Sequence, residues 1–317
     1  MKKWISAPSS NLTLAIPITL LFGFVFGLIM DTRFLKDYIL LFTFVMIYPT
    51  MIGFKLKEAV DLSHMKPVLL SLLVNFIIIP LFAYGLAKLT WITQPELFVG
   101  LIMISLFPTS GMTISWTMLN KGNVAAAIKI TAISLILGSF LAPLYLKVSV
   151  GALVPVDILG TFFTIIQVVI LPLILGNLTY RFLIKKYGEI TFQKTIKPYF
   201  PAISVWAMLM IVFTSISMKS KAIISNPSIL IQIVFILAIF YLLNFIIASA
   251  IARFLLKRDD GYALVYGSVM RNLSIALGLA ATAFGSNTAL VVTIAFILQV
   301  QAAAWYGKLS SKYKWLG

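Results

Sequence analysis

Residues 261–284 read GYALVYGSVMRNLSIALGLAATAF, an apolar stretch that carries one arginine, Arg271, near its middle. The stretch has the length that a helix needs to cross a hydrocarbon layer of roughly 30 Å. Arg271 follows Gly261 by ten residues, which places it about 15 Å along such a helix at 1.5 Å per residue. A guanidinium at that depth cannot reach either surface, and a charge buried there normally marks a functional pathway.

The rest of the chain has the same apolar character. Of its 317 residues, 61% are hydrophobic and 11% are charged, whereas soluble proteins carry roughly a quarter of charged residues. The sequence therefore predicts an all-α, polytopic membrane protein that forms one transmembrane unit over residues 1–317. The first apolar stretch is too long for a signal peptide, so we expect a retained helix. We predict about ten transmembrane helices, over residues 12–30, 38–54, 67–86, 96–119, 124–146, 158–183, 198–218, 229–256, 261–284 and 287–307.

The formal net charge of +16 could suggest a nucleic-acid partner, but the positions of the charges argue for membrane topology. If the N-terminus is cytoplasmic, most lysines and arginines fall in cytoplasmic connections, which is the positive-inside pattern. The connections on the other side hold Arg33, Lys36, Lys88, Lys147, Lys219 and Lys221. We predict a multi-pass protein of the cell (plasma) membrane with both termini cytoplasmic. Its basic side faces the anionic lipid of the bilayer, and no nucleic acid is expected to bind.

Several classes of chemistry are excluded. The chain has no cysteine, and its single histidine, His64, lies in a polar connection. All nine acidic residues fall in connections or at helix ends. An intramembrane enzyme would need a carboxylate pair, a histidine or a metal site within the bilayer. We therefore expect no enzyme, no cofactor and no metal site.

The ten predicted helices divide into two halves that resemble each other. The fourth is interrupted by the segment 108–113 (PTSGMT) and the ninth by the segment 270–274 (MRNLS). Since five is odd, the second half (about 156–317) is inverted relative to the first (about 1–147). Interrupted helices expose backbone groups, which a membrane tolerates only where they line a cavity. Interruptions at matching places of inverted halves indicate the central site of a transporter. We expect the two to cross near the bilayer centre.

Two cations lie within predicted helices. The planar guanidinium of Arg271 suits a carboxylate, sulfonate or oxyanion; the alternative is a structural arginine that bonds carbonyls of the opposite interruption. Lys129, roughly 8 Å into its helix, either faces a cavity or extends back to the cytoplasmic surface. The hydroxyls at the first interruption contact substrate or cap the backbone. Interhelical hydrogen bonds explain Asn75 and Gln299 as well as substrate contact does. The predicted substrate-binding residues are Arg271, Asn272, Lys129, Thr109, Ser110, Thr113, Ser268 and Gln299.

At these interruptions the chain resembles the bile acid:sodium symporter superfamily, which also includes the arsenite permeases. Pro108 and the turn 121–123 (KGN) match the family's PGGTxSN interruption and KGD turn in spacing, and residues 270–272 (MRN) match its ExGMQN segment. The resemblance implies ten helices in a panel domain and a six-helix core, interleaved in sequence, with crossed broken helices in the core. It also implies secondary transport of a small solute by alternating access.

The departures from the family pattern concern the coupling ion. By the resemblance, most sodium ligands of coupled members are missing, since their positions correspond to Ile114, Ala127, Gly267 and Arg271. Two hydroxyl positions are kept, as Thr113 and Thr131. We infer that the fixed cations Lys129 and Arg271 replace the coupling ion, and we predict transport of a small anion without obligatory sodium. The alternative is an arsenite-type efflux permease with a hydroxyl-lined path, since the family's usual cysteine and glutamate are both absent.

Overall fold

The computed structural model of this protein describes Pro8 and residues 12–53, 64–91, 94–151, 158–225 and 227–316. The end of the second predicted helix at Phe54 and the polar connection with Lys55, Lys57, Glu58 and Asp61 lie outside the described residues, as does Asp157. Within these residues the protein is helical, and no β-strand is present.

Fifteen α-helices of six residues or more form most of the described part of the chain. They are α1 (Leu12–Ile29), α2 (Ile39–Met51), α3 (Met65–Leu73), α4 (Ile79–Trp91), α5 (Pro95–Leu106), α6 (Gly111–Leu119), α7 (Val124–Val150), α8 (Ile158–Ile165), α9 (Leu171–Tyr187), α10 (Phe200–Ser217), α11 (Ser220–Ser225), α12 (Ser228–Leu255), α13 (Arg258–Val269), α14 (Leu273–Leu279) and α15 (Ser286–Tyr313). Short 3₁₀ helices precede α2 (Arg33–Tyr38) and α10 (Lys197–Tyr199), and one helical turn (Glu189–Thr191) follows α9. Four π-helical turns join or extend these elements: Val74–Ile78, Ile166–Ile170, Phe192–Ile196 and Ala280–Phe284.

The helices are long and apolar enough for a multi-pass membrane protein. Among the described residues, seven continuous helical stretches could cross a bilayer by length and composition, and they are Arg33–Met51, Met65–Trp91, Val124–Val150, Leu159–Tyr187, Glu189–Ser217, Ser228–Leu255 and Ser286–Tyr313. Three shorter apolar helices accompany them: Leu14–Ile29, Pro95–Leu106 and Leu273–Phe284. Several predicted boundaries were too narrow. For example, α7 continues beyond residue 146 to Val150 and α15 beyond residue 307 to Tyr313, because basic and polar residues at the ends extend these helices past the apolar stretch.

A proline explains the π turn between α3 and α4. Pro80 has no N–H, so the helix cannot form the usual bond to the carbonyl of Phe76. The chain widens by one residue, and the N–H of Ile79 bonds the carbonyl of Val74 instead. The hydroxyl of Tyr145 on α7 donates to the freed carbonyl of Phe76. The π turn thus ties α7 to this helix and brings Asn75, which it contains, into the interior.

Two groups of helices pack internally. Helix α10 packs on α1 and α2, and α9 packs on α2. In the other group, α15 packs on α5 and α12, while α13 contacts α3, α6, α7 and α12. Large apolar side chains such as Phe22, Phe235 and Leu242 are exposed on the outside, which suits helices that face lipid.

Candidate functional site

The gap between α5 and α6 lies against the gap between α13 and α14. Pro108 and Arg271 form an isolated antiparallel bridge, and the N–H of Asn272 donates to the carbonyl of Phe107 at 2.7 Å. Because Pro108 has no N–H and Thr109 has a φ of 63°, the helix cannot continue through this segment. This contact confirms the prediction that the two interrupted segments meet. The first interruption is narrower than predicted, since α6 already begins at Gly111.

Side chains from the interruptions cap the helices that follow. The hydroxyl of Ser110 accepts from the N–H of Met112 at 3.3 Å, and the hydroxyl of Thr113 accepts from the N–H of Ser110 at 3.2 Å. Asn272 caps α14 in the same way, accepting from the N–H of Ile275 at 3.3 Å. The N-terminal ends of both short helices, with their partial positive charge, therefore start at the meeting point.

The guanidinium of Arg271 is completely buried at this point, with 0% of the residue exposed. Its Nε donates to the carbonyl of Ile104 at 3.1 Å, and Nη2 donates to the carbonyl of Ser105. Nη1 donates to the carbonyl of Ser268 at 2.8 Å and to Oδ1 of Asn75 at 2.7 Å. Two of these carbonyls belong to the last turn of α5, which has no intrahelical partners and carries partial negative charge. Arg271 thus neutralises the end of the opposite broken helix.

Asn75 holds the arginine from a distant part of the chain. Its Oδ1 accepts from Arg271, while its Nδ2 donates to the carbonyl of Gly267 at 2.9 Å and to the hydroxyl of Ser71 at 3.1 Å. The amide is 0% exposed, so these bonds replace water entirely. Asn75 therefore links the π turn after α3 to α13 and to the guanidinium.

Gln299 on α15 substitutes for a missing backbone partner. Its Oε1 accepts from the N–H of Arg271 at 2.7 Å, and its Nε2 donates to the carbonyl of the same residue at 3.1 Å. Oε1 also accepts from the hydroxyl of Tyr241 at 3.2 Å. The side chain thus bonds both backbone groups of Arg271, of which the N–H has no other partner in the described part of the chain and the carbonyl also accepts from the N–H of Leu273 at 3.0 Å. In this conformation Gln299 bonds the protein rather than a solute.

The other predicted hydroxyls divide into two kinds. The hydroxyl of Thr113 donates to the carbonyl of Tyr266 at 3.2 Å, across the two interruptions. The hydroxyls of Thr109 and Ser268 are buried, and neither has a hydrogen-bond partner in the described part of the protein. A buried hydroxyl without a partner costs about 1–3 kcal/mol. Thr109 and Ser268 are therefore the two predicted residues whose polar atoms are free for a ligand.

Lys129 is buried on α7, with 1% of the residue exposed, so it does not extend to the surface. The next residue, Ile130, packs on Gly267 so closely that a Cβ there would approach Ile130 Cγ2 to 2.9 Å. The resemblance implies that sodium-coupled members have a glutamate at the position of Gly267. The packing of Ile130 leaves no space for such a side chain here.

The buried charges in the described part of the protein are all positive. Arg271 and Lys129 are its only buried charged residues. The six acidic residues that the structure describes are all exposed or partly exposed: Asp31, Asp37, Glu96, Glu189, Asp259 and Asp260. Within the same residues there is no group of three or more acidic or histidine side chains that could hold a metal ion. Positive charge at the meeting point is balanced by carbonyl dipoles rather than by carboxylates.

The chain that forms these two interruptions matches a known protein family. Residues 39–226 match the family model described as "Sodium Bile acid symporter family". The chain belongs to this family. The match covers more than half of the chain and includes the first interruption, and the resemblance seen in the sequence is thereby confirmed.

Relatives of this family support the assignment over most of the chain. "Uncharacterized protein YbaS" of Bacillus subtilis is 28% identical over 254 residues, which are 80% of this chain and 81% of YbaS. "Probable sodium/metabolite cotransporter BASS1, chloroplastic" of Arabidopsis thaliana is 24% identical over 259 residues, 80% of this chain but only 62% of that protein. "Arsenical-resistance protein Acr3" of Alkaliphilus metalliredigens is 22% identical over 285 residues, 84% of this chain and 79% of that protein. The chain is a secondary transporter of the bile acid:sodium symporter superfamily and a multi-pass membrane protein.

The structure brings most of the predicted residues of this family member to one place. Arg271, Asn272, Ser268 and Gln299 surround the second interruption, and the hydroxyls of the first interruption lie against it. Sequence reasoning had left Asn75 open between hydrogen bonding and substrate contact, and it had missed Ser71, Tyr241 and the carbonyls of α5. A weak signal for Ser71 was present, since it is one helical turn from Asn75 in an otherwise apolar stretch.

Proposed function

We propose that this protein carries a small anionic solute by alternating access, without a requirement for sodium, through a site where the two interruptions meet. The observation that carries the proposal is the guanidinium of Arg271. It donates to four oxygen acceptors, two carbonyls at the end of α5, one in the last turn of α13 and the side chain of Asn75. No carboxylate among the described residues is buried beside it.

Arg271 performs the electrostatic task of a coupling ion. A sodium ion binds where several oxygen atoms converge, and here the carbonyls of Ile104, Ser105 and Ser268 with Oδ1 of Asn75 converge on the guanidinium. At an effective dielectric constant of about 20, two unit charges 4 Å apart repel by roughly 4 kcal/mol. That repulsion weakens sodium binding roughly a thousandfold. The tethered cation therefore replaces the ion and makes its binding unnecessary.

The anion would contact groups beside Arg271 rather than its saturated N–H groups in this conformation. The hydroxyls of Thr109 and Ser268 are free, and Asn272 and Ser110 expose part of their surface at the starts of the short helices. The fixed charge of Arg271 and the partial charges of two helix N-termini favour an anion at this point, and the buried charge of Lys129 on α7 adds to the positive potential of the interior. Thr113 and Gln299 hold the two interruptions in register around it.

The same proposal includes ten transmembrane helices in two inverted repeats. Matching contacts at opposite ends of the repeats support it. Near the start of α7, the N–H of Asn123 donates to the carbonyl of Asp259, the second residue of α13. Near the start of α15, the hydroxyl of Thr288 donates to the carbonyl of Glu96, the second residue of α5. In each half, the long helix that follows the short one (α7 or α15) thus bonds the start of the broken helix of the other half.

The two packing groups support a panel that moves against a core. Helix α10 contacts α1 and α2, helix α9 contacts α2, and these four helices form the proposed panel. Helices α3 to α7 and α12 to α15 contain both interruptions and form the proposed core. The distribution of cations supports cytoplasmic termini, and the proposed location is the cell (plasma) membrane.

A second candidate, an arsenite-type efflux permease, is favoured by the similarity to Acr3 over 84% of this chain. Without cysteine, the protein cannot form thiolate bonds to arsenic. An arsenite path would have to depend on hydroxyls such as those of Thr109 and Ser110. The two buried cations attract an anionic solute more strongly than a neutral one such as arsenite. We therefore favour an anion.

The test is transport by the purified protein in proteoliposomes. A thermal-shift screen of monocarboxylates, sulfonates, sulfate and arsenite would first select ligands, since a bound ligand stabilises the folded protein. Uptake of each hit is then measured with sodium, potassium or choline as the only monovalent cation. We expect an anion hit and equal uptake in the three salts. Uptake that depends steeply on sodium would refute the tethered-cation proposal, and selective movement of arsenite would favour the second candidate.

A further inference from the structure

A cavity of about 120 Å³ lies between the two groups of helices, away from the meeting of the interruptions. It is lined by Lys36, Ile39, Ser215, Met218, Ala281, Gly285, Ser286 and Ala289. These residues come from the start of α2, the end of α10 and the segment that leads into α15. The predicted topology places this end of the bundle outside the cytoplasm. A water needs roughly 10–15 Å³ measured in this way, so the cavity has room for a molecule of several heavy atoms.

Ser215 supplies a free polar group in the lining. The residue is 1% exposed, and its hydroxyl has no hydrogen-bond partner in the described protein. Its neighbours behave differently: the hydroxyl of Thr214 donates to the carbonyl of Met210 at 2.8 Å, and that of Ser217 to the carbonyl of Thr214 at 3.1 Å. A serine in a helix usually satisfies itself in this way. The hydroxyl of Ser215 therefore remains available to a ligand in the cavity.

The N-terminus of a long helix contributes backbone donors. Helix α15 has 28 residues, and no side chain caps its first turn. Gly285 precedes it with a φ of 91°, and a Cβ at this glycine would meet no atom within 4 Å. The first N–H groups of α15 have no intrahelical partners. They lie at the cavity wall with the partial positive charge of the helix.

Lys36 adds a full positive charge at the rim. It is exposed and forms no ion pair with a described residue. The nearest carboxylates in sequence are Asp37, which is exposed, and Asp31, whose Oδ1 lies 3.8 Å from Nε of Arg33. Neither Asp31 nor Asp37 lines the cavity. The lining thus offers donors and positive charge, with no acidic side chain.

We propose that this cavity is a second anion site, distinct from the site at the interruptions, and that it takes a small oxyanion such as a sulfate, phosphate or carboxylate group. The oxyanion would accept from the first N–H groups of α15 and from the hydroxyl of Ser215, with Lys36 over it. The two sites share no residue, so this proposal does not depend on the solute that crosses the membrane. Because its walls come from both packing groups, an anion here bridges the proposed panel and core.

The test uses potassium sulfate against potassium chloride at constant ionic strength, with binding followed by isothermal titration and by thermal shift on the full chain. We expect sulfate to bind the parent protein. Ser215→Ala should weaken binding roughly tenfold, as expected for loss of a hydrogen bond to a charged group. Lys36→Gln should weaken it roughly threefold and reduce its dependence on salt.

Two controls match these variants. Ser204→Ala also removes a buried hydroxyl without a partner from α10, and Lys88→Gln also removes an exposed lysine, but neither residue lines the cavity. Both should bind sulfate as the parent does. Thr109→Gly, at the interruptions, should leave this binding unchanged as well. The proposal is overturned if sulfate does not bind, or if Ser215→Ala and Lys36→Gln bind it like the parent. Loss of binding in Thr109→Gly alone would assign the sulfate to the interruptions, overturning this proposal and leaving the proposed function intact.

Discussion

Replacement of Arg271 by glutamine is the most direct perturbation of the meeting point. The change removes the donors for four buried oxygen atoms, those of Ile104, Ser105, Ser268 and Asn75. At about 1–3 kcal/mol for each orphaned acceptor, simple addition gives roughly 4–12 kcal/mol. Neighbouring effects do not add fully, and the glutamine amide and entering water satisfy part of the set. We expect a loss near the lower end, about 4 kcal/mol, and a decrease in Tm of roughly 10 °C.

The same variant tests whether the guanidinium replaces sodium. Removing it leaves oxygen atoms converging on a vacant position that a sodium ion fits, so sodium should now stabilise the protein. At a concentration about ten times Kd, the stabilisation is roughly 1.4 kcal/mol, or a few degrees in Tm. The parent protein should show no difference between sodium and choline.

The measurement is thermal unfolding in detergent, followed by size-exclusion chromatography of the surviving fraction. Arg33→Gln is the matched control, because Arg33 pairs only loosely with Asp31 at 3.8 Å and both side chains are exposed. It should unfold at the parent's temperature. If Arg271→Gln also unfolded there, the hydrogen bonds around Arg271 would not hold the two interruptions together. If sodium stabilised the parent and not the variant, Arg271 would not take the place of the ion.

Three further substitutions probe individual contacts. Gly267→Ala should destabilise the protein by about 1–3 kcal/mol, since the new Cβ meets Ile130 Cγ2 at 2.9 Å. In a double-mutant cycle, Ile130→Ala should relieve part of this loss. Additive effects of the two substitutions on stability would contradict the clash. Thr109→Gly should raise stability by roughly 1 kcal/mol in thermal unfolding, because it relieves a φ of 63° and removes a hydroxyl without a partner. Its uptake in proteoliposomes should fall, and unchanged uptake would remove Thr109 from the solute site. Asn123→Ala should cost about 1–2 kcal/mol, since Oδ1 caps α7 at Ala126. Asn123→Ser keeps a capping oxygen without adding a charge beside Asp260, to which Nδ2 donates at 2.8 Å, so it should lose less. An equal loss in thermal unfolding would assign the effect to Nδ2.

The class of protein and the positions of its breaks were determined by the sequence alone. Apolar length predicts helices that cross a membrane, because a helix satisfies its own backbone groups whatever surrounds it. Pro108 predicts a break because it lacks an N–H, and the buried position of Arg271 follows from the apolar residues on both sides of it. These are local properties of the chain, and the structure agrees with them.

Only the tertiary structure decided what the buried arginine contacts. Its partners Ile104, Ser105 and Asn75 precede it by more than 160 residues, and two of them contribute carbonyl groups that every residue type possesses. No pattern of side chains can mark a carbonyl as free, because that depends on where a distant helix ends and what packs against it. For the same reason, the sequence could not predict that Gln299 bonds the backbone of Arg271. The cavity at Ser215 likewise exists only because elements far apart in sequence leave a space between them.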